Sequence, residues 1–214
     1  MSNFFQYDTY FFDCDGVILD SNEIKSQCFY EIAKAYNERK AEEFLIYHKE
    51  NGGISRFEKF NYFFKELLQK KDCEELIKSS IEKFSKLSVQ KLMSCPYIKG
   101  FENFIFEIAN KEKYVVSGGL EDDLIKVFQN RKIAPYFKGI YGSPKSKLQN
   151  MKHILNNYKI GRSVFIGDSL LDFQTAKNFN CDFIFLYEKT ELHDWRKKLP
   201  VDEIYVFKNF SEIS

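Results

Sequence analysis

The stretch of sequence that decides the fold is FFDCDGV, residues 11–17. The aromatic run at residues 7–12 predicts a β-strand, which leads directly to Asp13 and Asp15 with Gly16 behind them. Two carboxylates this close raise each other's pKa unless a cation or an acid–base role compensates. In a parallel α/β sheet, reactive groups lie just beyond the carboxyl ends of the strands, where these aspartates fall. The stretch therefore indicates chemistry at a strand end.

The composition excludes some classes of binding partner. The chain has 214 residues, with 32 Lys and Arg against 31 Asp and Glu, and a formal net charge of +1. This balance provides no basic field, so no nucleic-acid partner is predicted. No apolar stretch is long enough to span a bilayer, and residues 1–6 do not resemble a signal peptide, so no membrane association is predicted. The five cysteines are scattered without a CxxC pair, which favours a reduced, cytoplasmic protein.

The pattern of apolar residues changes along the chain. Within residues 21–96, apolar positions recur at helical spacing in three segments, residues 23–36, 57–70 and 73–92. Beyond them, strand-like and helix-like segments alternate, which predicts a doubly wound parallel sheet of the α/β class. The predicted domains are an α/β core, residues 1–20 and 97–214, and an α-helical insertion, residues 21–96.

The alternating part of the chain predicts five further strands and four helices. The predicted strands are residues 114–117, 139–141, 163–166, 182–186 and 204–207. The predicted helices are residues 101–110, 120–130, 147–158 and 171–179.

Polar side chains follow four of the predicted strands. In chain order they are Asp13 and Asp15, Ser117, Lys145 and Lys147, and Asp168 with Asp172. Carboxylates, a hydroxyl and an ammonium at one sheet edge indicate a site for a phosphate group and a divalent metal, and Mg²⁺ favours a few carboxylate oxygens with substrate phosphate. Ser117 and the backbone around Gly118 can donate hydrogen bonds to phosphoryl oxygens. A carboxylate that attacks phosphorus would form an aspartyl-phosphate.

These segments resemble the motifs of the haloacid dehalogenase (HAD) superfamily. The matching residues are DCDGV at 13–17, Ser117, a downstream lysine, and GDSLLD at 167–172. The helical insertion resembles the cap domain of the branch that contains phosphoglycolate phosphatase and β-phosphoglucomutase. The resemblance covers essentially the whole chain. It implies a Rossmann-like core with a helical cap, and a Mg²⁺-dependent phosphatase that hydrolyses a small phosphorylated metabolite through an aspartyl-phosphate.

The resemblance also implies a role for each matched residue. Asp13 corresponds to the nucleophile, which also binds Mg²⁺. Asp15 corresponds to the general acid and base, and its backbone carbonyl contacts the metal in the family. Ser117 corresponds to the hydroxyl that holds the transferring phosphoryl group. Asp168 corresponds to a metal ligand, and Asp172 to a supporting acid of the metal site whose direct ligation varies.

Two lysines compete for the phosphate-binding position of the third motif. Lys145 and Lys147 both follow Pro144, so the Lys-Pro order frequent in the family is absent. Lys147 opens the predicted helix and has the better spacing to Asp168. It is therefore favoured, with Lys145 as the alternative.

The cap offers candidate substrate contacts. Residues 51–56 resemble the loop that reaches over the active site in this branch, and Gly118 is expected to bind the substrate. Arg56 is expected either to bind a second anionic group of the substrate or to form a structural salt bridge. His48 stands near this loop and is the histidine best placed to reach a substrate.

Two other functions remain open. A sugar phosphomutase is disfavoured because residues 21–25 contain no histidine and because Gly167 stands where mutases often have glutamate. A non-catalytic binding protein with the same fold is disfavoured because it would not need to retain clustered carboxylates. A true dehalogenase lacks the second aspartate. The sequence leaves open the substrate and the choice between monomer and homodimer.

Overall fold

A six-stranded parallel sheet forms the centre of the molecule. The computed structural model describes residues 4–213, so the ends of the two predicted core segments, residues 1–3 and 214, lie outside it. The strand order is β3-β2-β1-β4-β5-β6, and every neighbouring pair is parallel. The strands are β1 (Thr9–Phe12), β2 (Glu112–Leu120), β3 (Gly139–Ser143), β4 (Ser163–Gly167), β5 (Asp182–Leu186) and β6 (Tyr205–Phe207). The predicted doubly wound sheet is confirmed.

The strand order places the functional end of the sheet. The chain builds outward from β1 to β3 on one side, then returns to β4 and builds outward on the other. In open α/β sheets, ligands bind at this point of reversal, beyond the carboxyl ends of the strands. Here the reversal lies between β1 and β4, the strands that precede Asp13 and Asp168.

Helices occupy both faces of the sheet and the interval between β1 and β2. That interval holds α1 (Asn22–Lys34), α2 (Glu38–Glu50), α3 (Arg56–Asn61), a π-helix (Tyr62–Leu67) and α4 (Glu74–Leu92). The remaining α-helices are α5 (Phe101–Glu107), α6 (Glu121–Asn130), α7 (Lys147–Asn157), α8 (Leu170–Asn178) and α9 (Trp195–Lys198). All helices from Asn22 to Leu92 fall within the predicted insertion, and its exact boundaries stay a prediction.

Alternating aromatic residues connect β1 to two separate hydrophobic clusters. Tyr10 and Phe12 pack into the cluster on one face of the sheet, whereas Phe11 packs into the cluster on the other face. Successive strand residues point to opposite faces, and a parallel sheet covered on both faces buries them all. All four residues of β1 are accordingly buried.

The inserted helices have a hydrophobic cluster of their own. Its largest members are phenylalanines contributed by α1, α2, α3, the π-helix and α4, namely Phe29, Phe44, Phe60, Phe63, Phe64 and Phe84. The sequence reading missed α2. It also predicted one helix at 57–70, where the structure has α3 followed by the π-helix. The turns of the π-helix are wider than those of an α-helix. Its successive residues Phe63 and Phe64 are both buried, whereas successive residues of an α-helix point about 100° apart.

β2 also differs from its prediction. The strand was expected to end at Ser117, but it continues through both glycines to Leu120. Its register against β3 shifts between Val116 and Leu120, so three residues of β2 oppose one of β3.

The only tryptophan packs on the sheet, far from the predicted helical insertion in sequence. Trp195, the first residue of α9, stacks on Tyr187 with ring centroids 5.4 Å apart and contacts Phe185 in β5. Among the residues described, no helix has the length and apolar character needed to cross a membrane.

Candidate active site

The carboxyl ends of β1, β2 and β4 bring the predicted polar residues to one cleft. Asp13 follows β1, and its backbone N–H donates to the carbonyl of Ile166 at 3.0 Å, which fixes the end of β1 beside β4. Asp13, Asp15, Ser117, Gly118 and Asp168 all line this cleft.

Three carboxylates form a buried cluster at the bottom of the cleft. One oxygen from each of Asp13, Asp168 and Asp172 lies within 4.8 Å of the other two. The exposed fractions of these residues are 4%, 6% and 0%. Confining three like charges away from water is costly unless cations neutralise them. The cluster therefore has the ligand type and the charge that suit a divalent cation.

Lys147 supplies one positive charge to the cluster. Its Nζ lies 3.0 Å from Oδ1 of Asp13 and 2.5 Å from Oδ1 of Asp172. Burial opposes its protonation, but the two carboxylates outweigh burial and raise its pKa above the ordinary value. Lys145, the alternative, is exposed. The structure therefore brings Lys147 to the cluster and leaves Lys145 outside it.

The negative charge that Lys147 leaves uncompensated shifts the pKa values of the aspartates. Burial raises the pKa of Asp13 to about 6; Lys147 lowers it, whereas Asp172 and Asp15 add to the increase. Burial also raises the pKa of Asp168 well above its ordinary value, and Asp13 and Asp172 contribute. Apart from the Lys147 ammonium at 3.0 Å, Oδ1 of Asp13 has no donor among the described residues. A bound cation would satisfy this oxygen.

Asp172 anchors the turn between β4 and α8. Its Oδ2 accepts from the Ser169 hydroxyl at 2.6 Å and from the Ser169 backbone N–H at 3.1 Å. The Ser169 hydroxyl in turn accepts from the Asp172 N–H at 3.2 Å, which completes a capping box. Asp172 thus positions Lys147 and the end of β4, and its direct contact with a metal stays a prediction.

Asp15 lies in a different environment from Asp13. It pairs with the ammonium of Lys25 in α1, and its Oδ1 accepts from the Ser21 hydroxyl at 2.5 Å. Burial raises its pKa, but Lys25 and Ser21 outweigh burial and hold the pKa below the ordinary value. The side chain lies outside the three-carboxylate cluster. The metal contact expected of its backbone carbonyl stays a prediction.

Asn22 and Thr190 hold Asp168 in place. Asn22 Nδ2 donates to Oδ2 of Asp168 at 2.7 Å and to the carbonyl of Lys189 at 2.9 Å. The Thr190 hydroxyl donates to the backbone carbonyl of Asp168 at 2.5 Å. Gly16 has φ +73°, and a Cβ there would fall 2.2 Å from Oδ2 of Asp168. Only glycine fits beside this carboxylate.

Ser117 and Gly118 lie where the ladder between β2 and β3 is interrupted. The Ser117 hydroxyl accepts from the Gly119 N–H at 3.1 Å. A Cβ on Gly118 would lie 2.2 Å from the carbonyl oxygen of Gly53, in the loop between α2 and α3. The predicted cap loop therefore packs directly on the end of β2.

Arg56 connects the inserted helices to the sheet domain. Its Nη1 donates to Oδ2 of Asp123 in α6 at 2.6 Å and to the Ser85 hydroxyl in α4 at 2.7 Å. Its guanidinium carbon also lies 4.7 Å from the centre of the Phe84 ring. Of the two expectations for Arg56, the structure contains the salt bridge. Because Arg56 also lines the cleft, a contact with substrate stays a prediction.

The sequence reading missed several polar residues on the other side of the cleft. Basic side chains of the inserted helices line it, namely Lys25, Lys49 and Lys59. His48, expected near the loop, is buried at the cleft. Lys25 follows Ser21 by four residues at the start of a helix. This spacing is the feature of the sequence that could have indicated a lysine facing the cleft. Nothing in the local pattern distinguishes Lys59 from a surface lysine.

Comparisons with known proteins agree with this fold. The family model of the haloacid dehalogenase-like hydrolases matches residues 10–186. A search of curated proteins found no significant match.

Three solved structures illustrate the shared fold. YfnB from Bacillus subtilis, bound to magnesium, has 19% identity and a TM-score of 0.68, covering 97% of this chain and 96% of its own. A predicted phosphoglycolate phosphatase from Haemophilus somnus 129PT has 15% identity and a TM-score of 0.75, with the same coverage of 97% and 96%. CbbY from Rhodobacter sphaeroides, in complex with phosphate, has 16% identity and a TM-score of 0.74, covering 98% and 97%. Since the family model spans most of the sequence, from β1 to β5, this chain belongs to the haloacid dehalogenase-like hydrolases.

Proposed function

We propose that the protein is a Mg²⁺-dependent phosphatase that hydrolyses a small phosphorylated metabolite through an aspartyl-phosphate formed on Asp13. The observation that carries this proposal is the buried cluster of Asp13, Asp168 and Asp172 with Lys147, at the bottom of a cleft between the sheet and the inserted helices. Membership of the hydrolase family supports the same reaction class.

The two aspartates of the first motif divide the chemistry. In the first step, an Asp13 oxygen bonds to phosphorus while the bond to the leaving oxygen breaks, and Asp15 gives that oxygen a proton. In the second step, Asp15 removes a proton from water, whose oxygen displaces Asp13 and releases phosphate. Lys25 and Ser21 hold the Asp15 carboxyl in place, and protonation of Asp15 before the first step supplies the proton that it transfers.

Other residues hold the phosphoryl group during transfer. The Ser117 hydroxyl and the Gly118 N–H are the proposed donors, and Lys147 balances the charge of the carboxylate cluster. Asp13 and Asp168 would hold Mg²⁺, with Asp172 and the Asp15 carbonyl in support. The ion would neutralise charge on the phosphoryl oxygens.

The solved structures support the metal and the ligand type only by analogy of fold. Their magnesium, phosphate and predicted phosphoglycolate phosphatase activity belong to proteins with 15–19% identity to this chain. For this chain, the residues of the cleft carry the proposal. The absence of a histidine at residues 21–25 continues to disfavour a phosphomutase.

A phosphate-release assay on a panel of phosphorylated metabolites tests the proposal. We expect hydrolysis of at least one small ester with Mg²⁺ and its loss on chelation. Asp13→Asn should reduce kcat by about 10⁴-fold or more, because it removes the nucleophile. Asp122→Asn, on the exposed side of α6, is the matched control and should retain activity. Activity that survives Asp13→Asn would exclude the phosphoenzyme, and a completely inert panel would favour a binding protein.

A further inference from the structure

Asn22 is a side chain of the cleft to which the proposed reaction gives no part. It is the first residue of α1 and lines the cleft beside the carboxylate cluster. Its Nδ2 donates both protons, one to Oδ2 of Asp168 at 2.7 Å and one to the carbonyl of Lys189 at 2.9 Å. Because both partners can only accept, the nitrogen of the amide, and not its oxygen, faces Asp168.

Gly16 makes this contact possible. A Cβ at position 16 would lie 2.2 Å from Oδ2 of Asp168 and 2.4 Å from Nδ2 of Asn22. Any other residue at this position would therefore push the amide and the carboxylate apart. The turn after β1 thus leaves a space whose use is the hydrogen bond between Asn22 and Asp168.

The two oxygens of the Asp168 side chain differ as a result. Oδ2 accepts from Asn22, whereas Oδ1 accepts no hydrogen bond from any of residues 4–213. A carboxylate with both oxygens free can bind a cation through the pair, but one whose oxygen is held by a donor must give up that bond to do so. Asp168 can therefore offer Oδ1 to a cation without losing a hydrogen bond.

Asp172 is restricted in a similar way. Its Oδ1 lies 2.5 Å from Nζ of Lys147, and its Oδ2 accepts from the Ser169 hydroxyl at 2.6 Å. The cluster thus has few oxygens to give. Mg²⁺ suits such a site, since it keeps several waters in an octahedral shell, whereas Ca²⁺ takes about six to eight oxygens and accepts both oxygens of a carboxylate.

We infer that Asn22 is a positioning residue for the metal ion, which restricts Asp168 to one ligand oxygen and thereby favours Mg²⁺ over Ca²⁺. The inference rests on the proposed function, which assigns Mg²⁺ to Asp13 and Asp168, and adds the side chain that selects the ion. An amide suits this role because it donates to Oδ2 without a positive charge that would repel the cation. Ca²⁺ gains the second oxygen of Asp168 only by breaking a hydrogen bond to a carboxylate.

Competition against Mn²⁺ tests the inference. Bound Mn²⁺ is measured from the loss of the electron paramagnetic resonance signal of the free ion, and Mg²⁺ or Ca²⁺ is then added to displace it. Asn22→Ala should weaken Mg²⁺ binding by about 10-fold or more, as loss of a partner of a metal ligand does elsewhere. Ca²⁺ binding should weaken by less than about 3-fold, because Ca²⁺ gains an oxygen in exchange.

Two variants provide the controls. Thr190→Val removes the hydroxyl that donates to the backbone carbonyl of Asp168, and so loosens the same residue without freeing Oδ2. It should weaken both ions by the same factor, which is also the result expected if Asn22 were merely structural. Asn61→Ala removes another half-buried asparagine of the inserted helices, which donates to the Phe57 carbonyl, and should change neither affinity. Asn22→Ser, with a shorter side chain, serves if circular dichroism shows that Asn22→Ala does not fold.

The binding measurement requires no turnover, so it separates this inference from the proposed reaction. A preference for Mg²⁺ that is reduced in Asn22→Ala and kept in Thr190→Val would support the inference even if no phosphate ester is hydrolysed. A preference that is unchanged in Asn22→Ala would overturn it even if phosphatase activity is found. A wild-type protein that binds Ca²⁺ as tightly as Mg²⁺, or that binds none of the three ions, would also overturn it.

Discussion

At the scale of single residues, Asp13 and Asp15 show how two identical side chains acquire opposite properties. Asp13 is buried among carboxylates, and its pKa rises to about 6. Asp15 is somewhat more exposed, and Lys25 and Ser21 stabilise its ionised form. In carboxylate pairs that divide nucleophilic and proton-transfer roles, the raised pKa usually belongs to the proton donor. Here it belongs to the proposed nucleophile, and a cation bound at Asp13 and Asp168 would lower it. The pairing of Lys25 with Asp15 is therefore one reason why the pKa values of Asp13 and Asp15 shift in opposite directions.

We expect Lys25 to act through Asp15. Lys25→Met should lower kcat by about 10-fold in the wild-type background, because Asp15 loses the partner that positions it. In an Asp15→Asn background, the same substitution should have little further effect. The measurement is a double-mutant cycle of kcat on one substrate. Fully additive effects would instead mean that Lys25 contacts the substrate independently.

Lys59 gives a prediction for stability as a function of pH. Its pKa is lowered to about 7 in the folded protein, against 10.5 for the ordinary side chain, so between these values the unfolded state binds more protons. Wild-type stability then gains ~1.4 kcal/mol per pH unit from this group as the pH rises above 7. Lys59→Met should be more stable than wild type at pH 6, with a difference that shrinks toward pH 9. Urea denaturation at both pH values measures it, and a difference independent of pH would contradict the assignment.

The predictability of the site residues depends on which part of the fold positions them. Asp13, Ser117 and Asp168 could be found from the sequence because parallel strands bring their ends to one edge. Lys59 could not, and His48 was expected near the cap loop without its partner, Lys59. They come from α2 and α3, and an amphipathic pattern reveals which face of a helix is buried, but not which helices meet across it. By contrast, Asp172, the partner of Lys147, could be predicted because it belongs to the fourth motif.

At the scale of elements, the end of β2 is shaped by contact with the inserted helices. The carbonyl of Gly53 occupies the space where a Gly118 side chain would lie, and Gly53 itself has φ +86°. The irregular register of β2 at this point keeps Ser117 and Gly118 at the cleft. The loop and the strand end therefore form one surface.

Gly118→Ala should disturb this surface. The new Cβ would overlap the Gly53 backbone, so the loop must move and kcat/KM should fall by about 10- to 100-fold, as misplacement of about 1 Å does elsewhere. Gly119→Ala is the neighbouring comparison, because its Cβ would meet only the Leu124 side chain at 3.2 Å. Its loss should be much smaller. Equal losses in the two variants would show that the loop contact is unimportant.

The elements themselves were predicted unevenly. The strands beyond residue 96 were located to within a few residues, since short buried runs bounded by turns leave few alternatives. α2 was missed because its first turn is mostly charged and Asn37, which caps it through the Lys40 N–H, follows α1 closely. The π-helix could not be predicted, because its wider turns depend on how Phe63 and Phe64 pack against other helices.

At the scale of the whole molecule, the ion pair between Arg56 and Asp123 joins two separately packed units. The inserted helices and the sheet have different hydrophobic clusters, and this buried pair crosses between them. Removing one partner of a buried pair leaves the other charge uncompensated, which costs more than replacing both.

Arg56→Met should therefore reduce the free energy of unfolding by about 3 kcal/mol, and the double variant Arg56→Met/Asp123→Leu by clearly less. Urea denaturation measures both. Lys34→Met, which breaks the exposed pair with Glu38, is the comparison and should have a much smaller effect. A double variant as unstable as Arg56→Met would argue against the buried charge as the cause.

The position of Trp195 gives the molecule a built-in optical reporter. The ring stacks on Tyr187 beside β5, whereas residues 21–96 contain no tryptophan. Tryptophan emission therefore reports on the sheet domain, whereas the far-ultraviolet dichroism reports on the helices of both units. Recording both signals on one sample would reveal whether the two units melt together or in succession.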